Sequence, residues 1–134
     1  MTRVLVFGTF DGLHPGHEAF IQQAREQGDE LVVLVAPDEV VEQLKQHQPK
    51  FALADRLARL QALPQIARAL PGDTDIGSYA TVTELKPYLI AFGYDQQALA
   101  QDFKRFQQAT GDDTPTIVLK PYRETEFKSS LLNV

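Results

Sequence analysis

Val4-Leu5-Val6-Phe7-Gly8-Thr9-Phe10-Asp11-Gly12-Leu13-His14-Pro15-Gly16-His17 is the stretch on which the reading of this chain turns. Val4 to Phe7 is a short apolar run closed by Gly8, the pattern of a strand buried on both faces. Pro15 suits the first turn of a helix, where a missing N–H costs nothing. Ala19, Phe20, Ile21 and Ala24 then fall on or near one helical face before Gly28-Asp29. Leu31 to Val35 is a second apolar run, ended by Ala36-Pro37. A strand, a helix and a strand in this order predict a parallel pair with a crossover helix.

Outward from that unit the alternation continues. A short helical stretch covers Val40 to Leu44, and Gln46 to Lys50 is a polar loop. A helix is expected from about Leu53 to Leu63, because Leu53, Leu57, Leu60 and Leu63 recur at helical spacing and Pro64 stops it. Ile66 to Leu70 reads as a third strand, and Pro71-Gly72-Asp73 as a turn. Tyr79 to Leu85 is a short helix, Tyr88 to Phe92 a strand closed by Gly93, and Ala98 to Ala109 a helix stopping near Gly111. Thr116 to Leu119 is the last strand, and Ser129 is placed to cap a terminal helix. The expected fold class is α/β: a three-layer Rossmann-like sandwich around a mainly five-stranded parallel sheet. With 134 residues, 43% of them hydrophobic, the chain has the size of one domain spanning 1–134.

Composition removes several function classes. There is no cysteine, so disulfides and thiolate zinc sites are excluded, and the cytoplasm is the expected compartment. No apolar run approaches the roughly 18 residues of a membrane span, and Thr2-Arg3 lead straight into a strand without signal-peptide organisation, so no membrane partner is expected. A net charge of −5 disfavours a nucleic-acid partner, because gripping a phosphate backbone requires a basic face. Any anionic ligand must meet local cations, which occur at Lys45 and Lys50, at Arg56 and Arg59, and at Lys120, Arg123 and Lys128.

In a parallel sheet, ligands bind at the carboxyl ends of the strands, and the segment Gly8 to His17 lies at such an end. Gly8, Gly12 and Gly16 permit close approach of a ligand to the backbone. The helix start after Pro15 offers N–H groups and a positive dipole end, so phosphate is the natural guest. Two of the three histidines, His14 and His17, stand three residues apart at this helix start and can face one point. Imidazoles there can donate to phosphate oxygens as charge develops. Zinc held by both histidines and Asp11 is the weaker reading, for want of a third neutral ligand. Neither G-x-x-x-x-G-K-[ST] nor G-x-G-x-x-G occurs, which disfavours P-loop NTPases and classical dinucleotide oxidoreductases.

Gly8-Thr9-Phe10-Asp11 with His14-x-Gly16-His17 resembles G-T-F-D-x-x-H-x-G-H, the signature of the cytidylyltransferase-like nucleotidyltransferase superfamily. Arg123-Glu124-Thr125-Glu126-Phe127-Lys128-Ser129-Ser130 occupies the place of the superfamily's second motif, R-T-E-G-I-S-T, more loosely and without its glycine. Further segments are similar to the archaeal-type FAD synthetases: Gly28-Asp29-Glu30-Leu31-Val32-Val33 leading to Asp38-Glu39, Leu44-Lys45, Glu84-Leu85-Lys86-Pro87, Gly93-x-Asp95-Gln96 and Phe127-x-Ser129-Ser130.

The resemblance implies transfer of AMP from ATP to FMN, giving FAD and pyrophosphate with Mg²⁺ or another divalent cation. It implies that His14 and His17 hold the triphosphate and stabilise the transition state at the α-phosphorus, with Thr9, Phe10, Asp11 and Gly16 lining the same turn. Lys45 is then the loop cation for the substrate phosphate, with Lys50 second. Arg123, Ser129 and Ser130 would grip the triphosphate, and Gly93, Asp95 and Gln96 would border the nucleobase. A homodimer is also admitted. Two other functional readings stay open: a cytidylyltransferase using CTP and glycerol 3-phosphate or a similar phosphorylated alcohol, and a nucleotide-binding module without turnover.

Overall fold

A computed structural model describes residues 2–121. The expected cap at Ser129, together with Arg123 and Ser130, lies outside the described residues. The elements run β1 (Arg3–Gly8), α1 (Pro15–Arg25), β2 (Glu30–Val35), α2 (Asp38–Lys45), α3 (Leu53–Gln61), β3 (Arg68–Pro71), α4 (Ala80–Leu85), β4 (Leu89–Phe92), α5 (Gln97–Thr110) and β5 (Thr116–Val118). They build one five-stranded sheet in the order β3-β2-β1-β4-β5, every neighbouring pair parallel.

β1 sits in the middle, with Val4 registered against Leu31 of β2 and Leu89 of β4. Its alternating side chains feed two cores. Val4 and Val6 pack with Ile21 and Ala24 of α1 and Leu60 of α3. Leu5 packs on the other face with Val82 of α4 and with Phe103 and Phe106 of α5. These two cores are what make the sheet the middle of three layers. A fully buried aliphatic side chain such as Ile21 contributes about 1.5–3 kcal/mol, so each face holds its helices by summed burial.

The elements differ from expectation mainly at edges. α3 ends at Gln61 rather than Leu63, and β3 covers Arg68–Pro71 rather than Ile66 to Leu70. Ile66 is buried, but its N–H bonds to the Leu63 carbonyl in the turn that closes α3. Ladder pairing begins only at Arg68, opposite Val32. The apolar run thus marks a core plug followed by an edge strand, two roles that share one hydrophobicity.

Candidate active site

β1 is flanked by β2 on one side and β4 on the other, so the chain leaves the central strands in opposite directions and a crevice opens at their carboxyl ends. The Gly8 to His17 turn borders one side, and Gly93 to Gln96 the other.

The turn is shaped by two unusual backbone positions. Phe10 is buried at a positive φ of 52°, which folds its ring back over Gly8. A Cβ at Gly8 would lie 2.4 Å from Phe10 Cε2. The ring then meets His17 edge-on at a centroid distance of 5.4 Å, and Phe20 at 6.4 Å. Gly8→Ala is therefore expected to push Phe10 off His17 and cost about 1–3 kcal/mol. Thermal unfolding measures this, and an unshifted midpoint would contradict the packing described.

His14 caps α1. Its Nδ1 accepts from the backbone N–H of Gly16 at 3.0 Å and of His17 at 3.4 Å. A Cβ at Gly16 would sit 2.8 Å from His14 Cε1, so the cap requires glycine there. Because Nδ1 accepts, neutral His14 carries its proton on Nε2. The helix start is also less open than expected. Pro15 has no N–H, those of Gly16 and His17 go to His14 Nδ1, and that of Glu18 goes to the His14 carbonyl. The first backbone N–H groups of α1 are therefore already partnered within the protein.

The two imidazoles stack at 3.7 Å with a 29° tilt. His17 is half-buried, and this desolvation is the main reason its pKa lies below the usual 6.5. The charges of His14 and Lys45 push the same way, against the Gly12 carbonyl and the Asp95 carboxylate. The buried Nδ1 of His17 makes no hydrogen bond. A histidine depressed in the folded state contributes stability that is present above pH 6.5 and lost as pH falls through the lower folded value. The urea midpoint should accordingly drop between about pH 7.5 and pH 5.5, and less so in His17→Gln. Equal slopes in both proteins would count against a depressed His17.

Lys45, at the exposed C-terminal end of α2, and Asp95, after β4, act on His17 through their charges. Of the other expected site residues, Gln96 clips the ends of β1 and β4 together. Its Oε1 accepts from Gly93 N–H at 2.8 Å, and its Nε2 donates to the Phe7 carbonyl at 2.9 Å. Asp11 faces the α2–α3 loop, accepting from the N–H of Lys50 at 2.7 Å and of Phe51 at 2.9 Å. Desolvation raises its pKa, but those two bonds and the charges of Arg56 and Lys50 outweigh it and hold the carboxyl below its ordinary value. Each oxygen of Asp11 thus already accepts one backbone N–H. Any nucleotide contact it makes must share those oxygens. Beside Gly93 a cavity of about 350 Å³ extends past Tyr94, Gln97 and Gln101 to Val118.

Arg56, counted from sequence among the cations open to a ligand, is fully buried. Its Nη1 donates to the carbonyls of Thr9 at 2.9 Å and Ala36 at 2.7 Å, its Nε to that of Phe51 at 2.9 Å, and its Nη2 to Asp38 Oδ1 at 2.6 Å. Four of the five guanidinium N–H groups are thus consumed by the protein. The available signal was position: Arg56 falls on the stripe of Leu53, Leu57 and Leu60.

A profile of the family described as cytidylyltransferase-like matches residues 5–132, nearly the whole chain. The chain belongs to the cytidylyltransferase-like family. Similar relatives within reach of that family include an FAD synthase of Aciduliprofundum boonei, 37% identical over 97% of this chain and 86% of its own. An FAD synthase of Archaeoglobus profundus is 37% identical over 97% of this chain and 82% of its own. Among solved structures, a lipopolysaccharide core biosynthesis protein of Thermoplasma volcanium superposes with a TM-score of 0.82 at 33% identity, covering 91% of this chain and 98% of that one.

Proposed function

We propose that this chain is an FAD synthase, transferring AMP from ATP to FMN and releasing pyrophosphate. The observation that carries the reading is the stacked pair His14 and His17 at the capped start of α1, in a chain whose relatives are named FAD synthases. In the reaction, an FMN phosphate oxygen attacks the α-phosphorus in line, the bond to the bridging oxygen breaks, and pyrophosphate departs with its electrons. That phosphate is already ionised near neutral pH, so neither a covalent nucleophile nor a general base is needed. The protein's work is positioning and charge neutralisation.

His14, through Nε2–H, and His17 donate to the oxygens of the α-phosphate as charge builds there. Thr9, Phe10 and Gly16 shape the turn beneath it, and Lys45 meets the incoming phosphate. Arg123, Ser129 and Ser130 hold the outgoing phosphates, and Gly93 and Asp95 border the adenine, for which the adjoining cavity offers room. Among the described residues no three His, Asp or Glu side chains converge on one point, so the donor set does not fit a cation caged by the protein. Mg²⁺ belongs to the proposal as an ion carried on the triphosphate.

No helix among the described residues is long and apolar enough to cross a membrane. A cytoplasmic place and a homodimer complete the proposal. Fractionation tests the first, and sedimentation reading one or two chain masses tests the second. The activity is tested by pairing ATP or CTP with FMN or glycerol 3-phosphate. FAD formed from ATP and FMN supports the reading. Turnover of CTP with glycerol 3-phosphate instead would replace it with cytidylyl transfer, and no pyrophosphate from any pair would leave a binding module.

A further inference from the structure

We propose that Arg56 is a positioning residue for nucleotidyl transfer, mooring the lysine-bearing loop between α2 and α3 to the Gly8 to His17 turn so that loop and turn move as one body. The inference rests on the nucleotidyl-transfer reading for its chemistry, and on the hydrogen bonds of one buried side chain for its geometry. Three chain segments converge on the guanidinium. Thr9 follows β1, Ala36 follows β2 and Phe51 precedes α3, and each offers a backbone carbonyl to it within 2.9 Å. The Phe51 peptide is held on both sides, its carbonyl by Arg56 and its N–H by Asp11. The Phe51 ring is fixed too, with the Arg59 guanidinium 3.8 Å above its centroid and Gly12 beside it.

The loop so moored follows directly on Lys45, the last residue of α2, and carries Lys50, the second candidate phosphate cation. Asp11 joins the loop to the turn directly, through the N–H groups of Lys50 and Phe51, and Arg56 joins both to the end of β2 as well. Asp11, from the GTFD segment, is part of the same mooring. A planar fork is essential to this geometry, since a lysine ammonium cannot reach carbonyls that approach from three directions. Arg56 touches no substrate; it acts through the carbonyls of Thr9 and Phe51.

The test is Arg56→Lys, which keeps the charge and removes the fork, compared with Val82→Ala as a core truncation on the opposite face of the sheet. Both are assayed at a temperature where circular dichroism shows them folded. Arg56→Lys should lose about 10²-fold in kcat/KM, with most of the loss in kcat, because misplacement of reacting groups by about 1 Å has effects of that size. Val82→Ala should keep the wild-type kcat and KM. Wild-type constants in folded Arg56→Lys would overturn the proposal and leave Arg56 a stabilising residue.

Amide hydrogen exchange in the wild-type protein stands independently of whether that variant folds. ATP, or CTP if ATP does not bind, should slow exchange at Lys50 and Phe51 together with Gly16 and His17. Protection confined to Gly16 and His17 would overturn the mooring. If wild-type protein forms no FAD, the acceptor reading fails, while the exchange result still decides whether loop and turn are coupled.

Discussion

His17→Ala is expected to lower pyrophosphate release by about 10²–10³-fold, the size of effect seen when one preorganised donor to a developing charge is removed. The far-ultraviolet circular dichroism spectrum and the unfolding midpoint should stay close to wild type. The buried Nδ1 of His17 has no hydrogen-bond partner, and the cap of α1 is made by His14, so the helix start keeps its bonds when the His17 ring is removed. The neighbouring histidine provides the contrast. His14 holds the N–H groups of Gly16 and His17, so His14→Ala removes a helix cap as well as an imidazole and should cost about 1 kcal/mol of stability on top of its loss of activity. Stacked rings 3.7 Å apart would thus separate into one residue whose loss is purely kinetic and one whose loss is both kinetic and structural. Near-normal turnover in His17→Ala would remove the imidazole pair from the α-phosphorus.

Arg56→Ala carries the largest expected effect on stability. Truncation leaves the carbonyls of Thr9, Ala36 and Phe51 without donors in a site closed to solvent, and each such group costs about 1–3 kcal/mol. The partner Asp38 is 43% exposed, so its freed charge is hydrated and adds little. Together with the space left by a fully buried side chain, the loss should reach roughly 3–5 kcal/mol and lower the unfolding midpoint by roughly 10 °C or more. A loss below about 1 kcal/mol would mean that water or a shifted loop replaces the guanidinium without penalty. This equilibrium measurement differs from the kinetic comparison with Arg56→Lys, which is made on folded protein only.

Much of the fold is visible in the amino-acid order because parallel strands covered on both faces become continuous apolar runs. β1, β2 and β4 show this in Leu5, in Val32 to Val35 and in Leu89 to Phe92, all buried. The edge strands are harder. β3 and β5 pair on one side only and are largely exposed, so Ile66 joins the apolar run of β3 without joining its ladder.

The site divides in the same way. The histidines, the glycines of the turn and Pro15 are close neighbours in sequence, and the local helix start brings the two imidazoles together. Asp11, Gln96 and Arg56 act on partners 39 to 89 positions away, in Lys50, Phe7 and Thr9. No local pattern records such a partner. Asp11 and Gln96 also hold protein backbone in the fold, a task that their motifs do not record. Arg56 resembles a surface cation until its place on the leucine stripe of α3 is noticed.

By itself, then, the sequence determined a parallel α/β sheet with a paired-imidazole turn at the end of its first strand, because those features depend on hydrophobic runs and on contacts between near neighbours. Only the tertiary structure decided which polar groups remain free for a ligand. That depends on which backbone donors and carbonyls are brought together across the sheet, and a buried hydrogen bond claims a side chain however open it looks in sequence.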